Sequence, residues 1–92
     1  MNFEFDPKKA SANLRKHRVA FAEAEPVFYD SLALTQADDG VHHELRFVTV
    51  GMDALGRVLA VCWTEPDALN GDVIRLISAR LATTHERKLY EN

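Results

Sequence analysis

The 92-residue sequence predicts an α+β fold in one domain spanning 1–92: a short N-terminal strand and two helices, then a four-stranded, mainly antiparallel meander and a short C-terminal helix. Three observations carry this expectation. Apolar residues keep helical spacing up to Asp30; beyond it the period drops to two in four stretches rich in β-branched residues; and Thr83-x-x-Glu86 has the spacing of a capping box.

Taken in order, "FEFD" alternates as a strand. Asp6-Pro7 starts a helix, because Asp6 caps free amides and proline at the first helical position gives up no needed donor. That helix should run from Pro7 to about His17, with Ala10, Leu14 and His17 on one inward face and Lys8, Lys9, Arg15 and Lys16 mostly outside. Phe21, Ala24, Val27 and Phe28 form a second stripe, interrupted by Pro26. "LALTQ", "LRFVTVGM", "RVLAVCWT" and "VIRLISAR" read as strands, separated by the turn segments "ADDG", "MDALG" and "EPDALNGD". Short links between them favour antiparallel neighbours.

Composition excludes several classes. At 47% hydrophobic and 27% charged, with no low-complexity tract, the chain is globular. Its longest apolar run, Val58 to Trp63, is far too short to cross a bilayer, and "MNFEFDPKK" is no signal peptide, so a cytoplasmic location is expected. A single cysteine, Cys62, rules out an internal disulfide and reads as a buried hydrophobe. The net charge of −3 argues against general nucleic-acid binding, yet charge is segregated. Glu23, Glu25, Asp30, Asp38, Asp39 and Glu44 lie between Ala22 and Leu45 with no Lys or Arg, whereas Lys8, Lys9, Arg15, Lys16 and Arg18 crowd the first helix.

The last strand holds two arginines. Strict alternation puts Arg75 with Val73, Ile77 and Ala79, and Arg80 on the opposite face with Ile74, Leu76 and Ser78. In the following helix, Arg87 is set to pair with Glu91.

At three places the sequence resembles one family. "FEFDPKKASANLRKHRVAFAEA" resembles the opening F-x-W-D-P-x-K-A-x-x-N-x-x-K-H-x-V-x-F-x-E-A of the BrnT toxins. "RFVTVGMDALGRVLAV" resembles their middle hairpin, and "IRLISARLATTHERKLYE" their closing R-I-I-S-A-R-x-A-x-x-x-E-R-x-x-Y. The departures are Phe5 for the usual Trp, Arg18 where Gly is common, Trp63 in place of a smaller or polar aromatic, and Leu81 where Lys is frequent. The resemblance implies a RelE-like fold and a ribonuclease toxin of a bacterial type II toxin–antitoxin pair, cutting RNA to arrest translation. It also implies a ribbon-helix-helix antitoxin of the BrnA type, with operator DNA bound only through the complex.

Metal-free RNA cleavage needs a base for the 2′-hydroxyl, an acid for the leaving 5′-oxygen and cations for the phosphate, and it calls for no cofactor. Arg75 and Arg80 are the first candidates for the phosphate, since a guanidinium fork holds two oxygens at once. For Arg75 the alternative is a salt bridge to an acid such as Glu86, and for Arg80 a solvated charge. His17 is a candidate acid or base, or else a packed histidine at the end of its helix; Tyr90 is a candidate proton donor, or else an amphipathic lid on the core. Lys16, Arg46 and Arg87 are candidate RNA contacts.

His42-His43 matches no usual metal-ligand spacing, so no metal site is expected. Trp63, Leu55 and Leu69 are candidates for a partly exposed partner surface. The alternative function, motivated by the acidic stretch and Leu81, is a catalytically degenerate protein-binding module that acts with its antitoxin as a transcriptional autoregulator.

Overall fold

The computed structural model describes residues 1–38, 44–66 and 71–92. The predicted turn residues 39–40 and 67–70, the His42-His43 pair and Leu69 lie outside the described residues. Among the described residues the α-helices and strands follow in order: β1 (Asn2–Glu4), α1 (Pro7–His17), α2 (Phe21–Ala24), β2 (Leu34–Asp38), β3 (Arg46–Met52), β4 (Val58–Thr64), β5 (Val73–Leu81) and α3 (Thr84–Glu91).

Local signals set the element ends. The Asp6 carboxylate accepts from the Lys8 amide at 2.8 Å to start α1, and Thr83 and Glu86 exchange the two bonds of a capping box to start α3. Pro26 ends α2 as an α-helix and turns the chain into a 3-10 segment, Glu25–Tyr29. Strand β2 begins two residues later than the alternation predicts. The Asp30 side chain accepts from Leu32 N–H at 2.9 Å and its carbonyl from Ala33 N–H at 3.1 Å, so Leu32 belongs to a turn.

The sheet runs β1-β5-β4-β3-β2. The last four strands form the expected antiparallel meander, and β1 joins β5 in parallel, pairing Phe3 with Ile74 and Glu4 with Arg75. One sheet face packs on α1, α2 and the 3-10 segment through Leu59, Val61, Trp63, Ile74, Leu76 and Ala79. Each large aliphatic side chain fully buried here contributes about 1.5–3 kcal/mol. Gly51 permits the close approach of the 3-10 segment, since a Cβ there would lie 3.0 Å from Val27 Cγ1. The opposite face is covered in part by Tyr90 of α3 and by Ala82 in the link before it, which pack on Val50, Val58 and Ala60.

Two burial expectations are corrected. Trp63 is buried, stacked on Phe47 with ring centroids 4.6 Å apart, and its indole N–H donates to Thr49 at 2.8 Å, whereas Leu55 is exposed as expected. Leu14 is 48% exposed, and the inward position of α1 is instead taken by Asn13. The reason is polar: the edge of β5 beside α1 presents backbone groups that a leucine cannot satisfy.

Candidate functional site

Beyond Arg75, β5 has no strand on its outer side among the described residues, because β1 ends at Glu4. Asn13 closes this edge. Its side-chain nitrogen donates to the carbonyls of Ala79 at 2.8 Å and Val19 at 2.9 Å, and its oxygen accepts from Ala79 N–H at 3.0 Å. The amide thus behaves as one residue of a neighbouring strand, and α1 is pinned alongside β5.

Beside the plug lie two hollows. One, of about 320 Å³, is lined by Glu4, Phe5, Asp6, Lys9, Arg75 and Ile77 among others; the second, of about 280 Å³, is lined by Lys9, Lys16, His17, Ile77 and Ser78 among others. Lys9 and Ile77 line both, so the two hollows adjoin, one toward Arg75 and the other toward His17.

The faces expected for the two arginines need correction. Cys62 pairs with Ser78 but Trp63 pairs with Leu76, so Ile77 is an extra residue in β5, a β-bulge. A single inserted residue reverses the alternation beyond it. Arg75, opposite Thr64, and Arg80, opposite Ala60, therefore fall on the same sheet face, together with Arg46, which also pairs with Thr64.

Their partners differ in strength. Arg75 meets Glu4, not Glu86, at 3.3 Å, with both side chains nearly half exposed; such a pair contributes about 1 kcal/mol or less. Arg80 is gripped by Glu86 through two bonds of 2.7 and 3.1 Å. This clasp, with the Thr83 amide, holds the Glu86 carboxyl down to about 2. Arg46 lies 3.7 Å from Glu44, and Arg87 pairs with Glu91 at 3.5 Å on exposed α3, as its spacing predicts.

Tyr90 stands apart from His17, across the sheet. Its hydroxyl donates to Asp30 at 2.6 Å, which raises the phenol pKa and lowers that of Asp30; Met52 and Leu32 amides add to the latter effect. The candidates are therefore divided. Lys16 and His17 line one hollow and Arg75 the other, with Lys9 common to both; Arg75 shares its sheet face with Arg46 and Arg80, and Tyr90 packs on that face from α3; Arg87 is exposed.

Lys9 and Asn13 were not singled out by sequence reasoning. Lys9 looked like one more wet cation, and the only hint for Asn13 is its polarity within one turn of Ala10 and His17. The cation pairing is informative: Arg46, Arg57, Arg75, Arg80 and Arg87 each have a carboxylate within ion-pair distance, while Lys8, Lys9, Arg15, Lys16 and Arg18 on or beside α1, and Lys88 on α3, have none among the described residues. Uncompensated positive charge collects along α1. Among the described residues, no group of three His, Cys, Asp or Glu side chains is placed to hold a metal, and no helix is long and apolar enough to cross a membrane.

Residues 5–86 match the family described as ribonuclease toxin, BrnT, of type II toxin-antitoxin system. Among solved structures the chain is similar to the Brucella abortus ribonuclease toxin BrnT, with a TM-score of 0.67 at 20% identity over 91% of this chain and 99% of that one. That likeness speaks for the fold. A search of curated proteins finds no match.

Proposed function

This chain belongs to the BrnT family of ribonuclease toxins of type II toxin–antitoxin systems, and from that premise we propose that it cleaves RNA, without a metal ion, in the two adjoining hollows along the open edge of β5. The observation that carries this reading is that Lys9 lines both the hollow that holds Arg75 and the adjoining one that holds Lys16 and His17. It brings close together an exchangeable guanidinium, ammonium groups with no ion pair among the described residues, and an imidazole.

In this reading Arg75 leaves Glu4 and holds the non-bridging phosphate oxygens with Lys9. His17 takes the proton of the 2′-hydroxyl, whose oxygen attacks phosphorus. The bond to the 5′-oxygen breaks, and that oxygen takes a proton from the Lys16 ammonium. The products are a 2′,3′-cyclic phosphate and a 5′-hydroxyl, and proton exchange with water resets both side chains. Arg80, whose fork Glu86 fills, and Tyr90, whose proton lies toward Asp30, serve to fix α3 on the sheet.

The toxin acts in the cytoplasm to arrest translation and is neutralised by a BrnA-type antitoxin, through which operator DNA is contacted. Inducing the chain alone should stop growth, and His17→Ala, Arg75→Ala or co-expression of the antitoxin should restore it. A harmless wild-type chain contradicts the reading.

A further inference from the structure

Phe5 sits at the join of two elements that fix its backbone. Glu4, the residue before it, pairs with Arg75 in the β1–β5 ladder, and Asp6, the residue after it, caps α1 through the Lys8 amide at 2.8 Å. The ring is held as well: it meets buried Phe21 nearly perpendicular, at 78° with centroids 5.5 Å apart. Phe5 nevertheless stays 42% exposed, and it lines the hollow of about 320 Å³ that also holds Arg75 and Lys9. An aromatic side chain kept rigid and yet open to solvent has surface to offer a flat ligand.

The polar groups around the ring are of both signs. Glu4 lies 3.3 Å from Arg75, Glu44 lies 3.7 Å from Arg46 and Asp6 is bonded to the Lys8 amide, while Lys9 has no ion pair among the described residues. Acceptors and cations surrounding an exposed ring match a neutral heterocycle with donors and acceptors on its edge, and Lys9 favours an anion beside it. A nucleobase carrying its own phosphate is such a ligand. The hollow lies at the small end of the roughly 300–1,000 Å³ usual for ligand sites, which suits one base.

From the fixed, exposed ring and its place in the hollow of Arg75 and Lys9, we infer that Phe5 is a stacking platform for one unpaired base of single-stranded RNA, next to the phosphate that Arg75 and Lys9 hold. In a duplex both faces of a base are already covered by its neighbours, so the platform selects unpaired RNA. The inference rests on the reading that these hollows take RNA, and it adds to that reading the class of RNA and the residue that recognises it.

The test titrates the full chain into a single-stranded 2′-O-methyl oligoribonucleotide, which has no 2′-hydroxyl to attack, and follows binding by fluorescence anisotropy. Phe5→Leu keeps an apolar side chain and removes the π face; it should weaken binding by roughly fivefold or more. The same substitution should change affinity by less than about twofold for a duplex of the same strand and for an abasic sugar–phosphate oligomer of equal length. Tyr29→Leu, at an aromatic 67% exposed outside the hollow, should also stay within about twofold on the base-bearing strand. Phe5→Trp keeps the platform and reports on it directly, and it decides the matter should Phe5→Leu fail to fold. Its indole fluorescence, after subtraction of the parent chain's buried Trp63 signal, should be quenched as the single strand binds. Equal affinity of wild type and Phe5→Leu for the base-bearing strand, an equal loss on the abasic one, no quenching in Phe5→Trp at saturation, or no binding at all overturns the inference. Cleavage is not read in these measurements. A chain that binds in this way yet leaves RNA intact removes the nuclease reading alone, and a chain that cuts RNA with Phe5→Leu binding unchanged removes the platform alone.

Discussion

The side-chain amide of Asn13 both donates to the Ala79 carbonyl and accepts from the Ala79 N–H, at 2.8 and 3.0 Å, across 66 residues of sequence. Asn13 is 6% exposed, so its bonds to β5 and to Val19 are made in a buried setting where unpaired backbone groups are costly. Asn13→Ala should cost about 2–3 kcal/mol, from buried backbone groups left unpaired. Asn13→Asp should be at least as damaging, since it swaps two donated bonds for a buried charge. Denaturant unfolding of each variant measures the difference.

This contact marks the boundary of what the sequence discloses. The Asp6 cap, the Thr83–Glu86 box and the four meander strands were legible because their signals lie within a few residues. The pairing of β1 with β5 was not, because it joins Asn2 to Val73 without a local pattern. The bulge at Ile77 has no composition cue, and it reverses the predicted faces of Arg75 and Arg80. Helix α1 turned inward on Asn13 in place of Leu14 because the β5 edge demanded polar partners, a requirement invisible on the helix alone. For the candidate site, residue type indicated Lys16, His17 and Arg75 separately; only the fold shows that they line two adjoining hollows and that Lys9 is common to both.

The Arg80–Glu86 clasp should appear in the pH dependence of stability. The Glu86 carboxyl titrates at about 2 when folded, against an ordinary value of 4.5. The folded state therefore binds this proton less readily than the unfolded chain, and the stabilisation is present above about pH 4.5 and fades as pH falls toward 2. With Arg80's side chain 38% exposed, screening brings the contribution to the order of 2 kcal/mol. Wild type should lose more stability than Glu86→Gln between pH 6 and pH 3, by unfolding monitored at both values.

Arg18 closes α1 in the left-handed conformation, at φ 61°, with its N–H bonded to the Leu14 carbonyl. A side chain there is strained, and glycine is not. Arg18→Gly should raise stability by about 1 kcal/mol, visible as a higher Tm. An unchanged or lower Tm contradicts the assignment of strain.

Tyr90 and Asp30 join α3 to the turn before β2 through a bond of 2.6 Å. Tyr90→Phe removes the hydroxyl and leaves the ring on Val50, Val58 and Ala60. It should lower stability by about 1.5 kcal/mol, the loss expected for a bond to a charged acceptor. The rate of RNA cleavage should stay within about twofold of wild type at a temperature where both chains are folded, because Tyr90 packs under α3 and lines neither hollow. A larger fall in rate would move Tyr90 into the reaction.

Cleavage of single-stranded RNA by the purified chain in excess EDTA tests the account most directly. The account predicts cutting that EDTA leaves unaffected, with 2′,3′-cyclic phosphate ends, and a rate lowered by roughly 10²–10⁴ in His17→Ala and by roughly 10² or more in Arg75→Ala. RNA left intact by the wild-type chain in EDTA, or cleavage at an unchanged rate by His17→Ala, would contradict it.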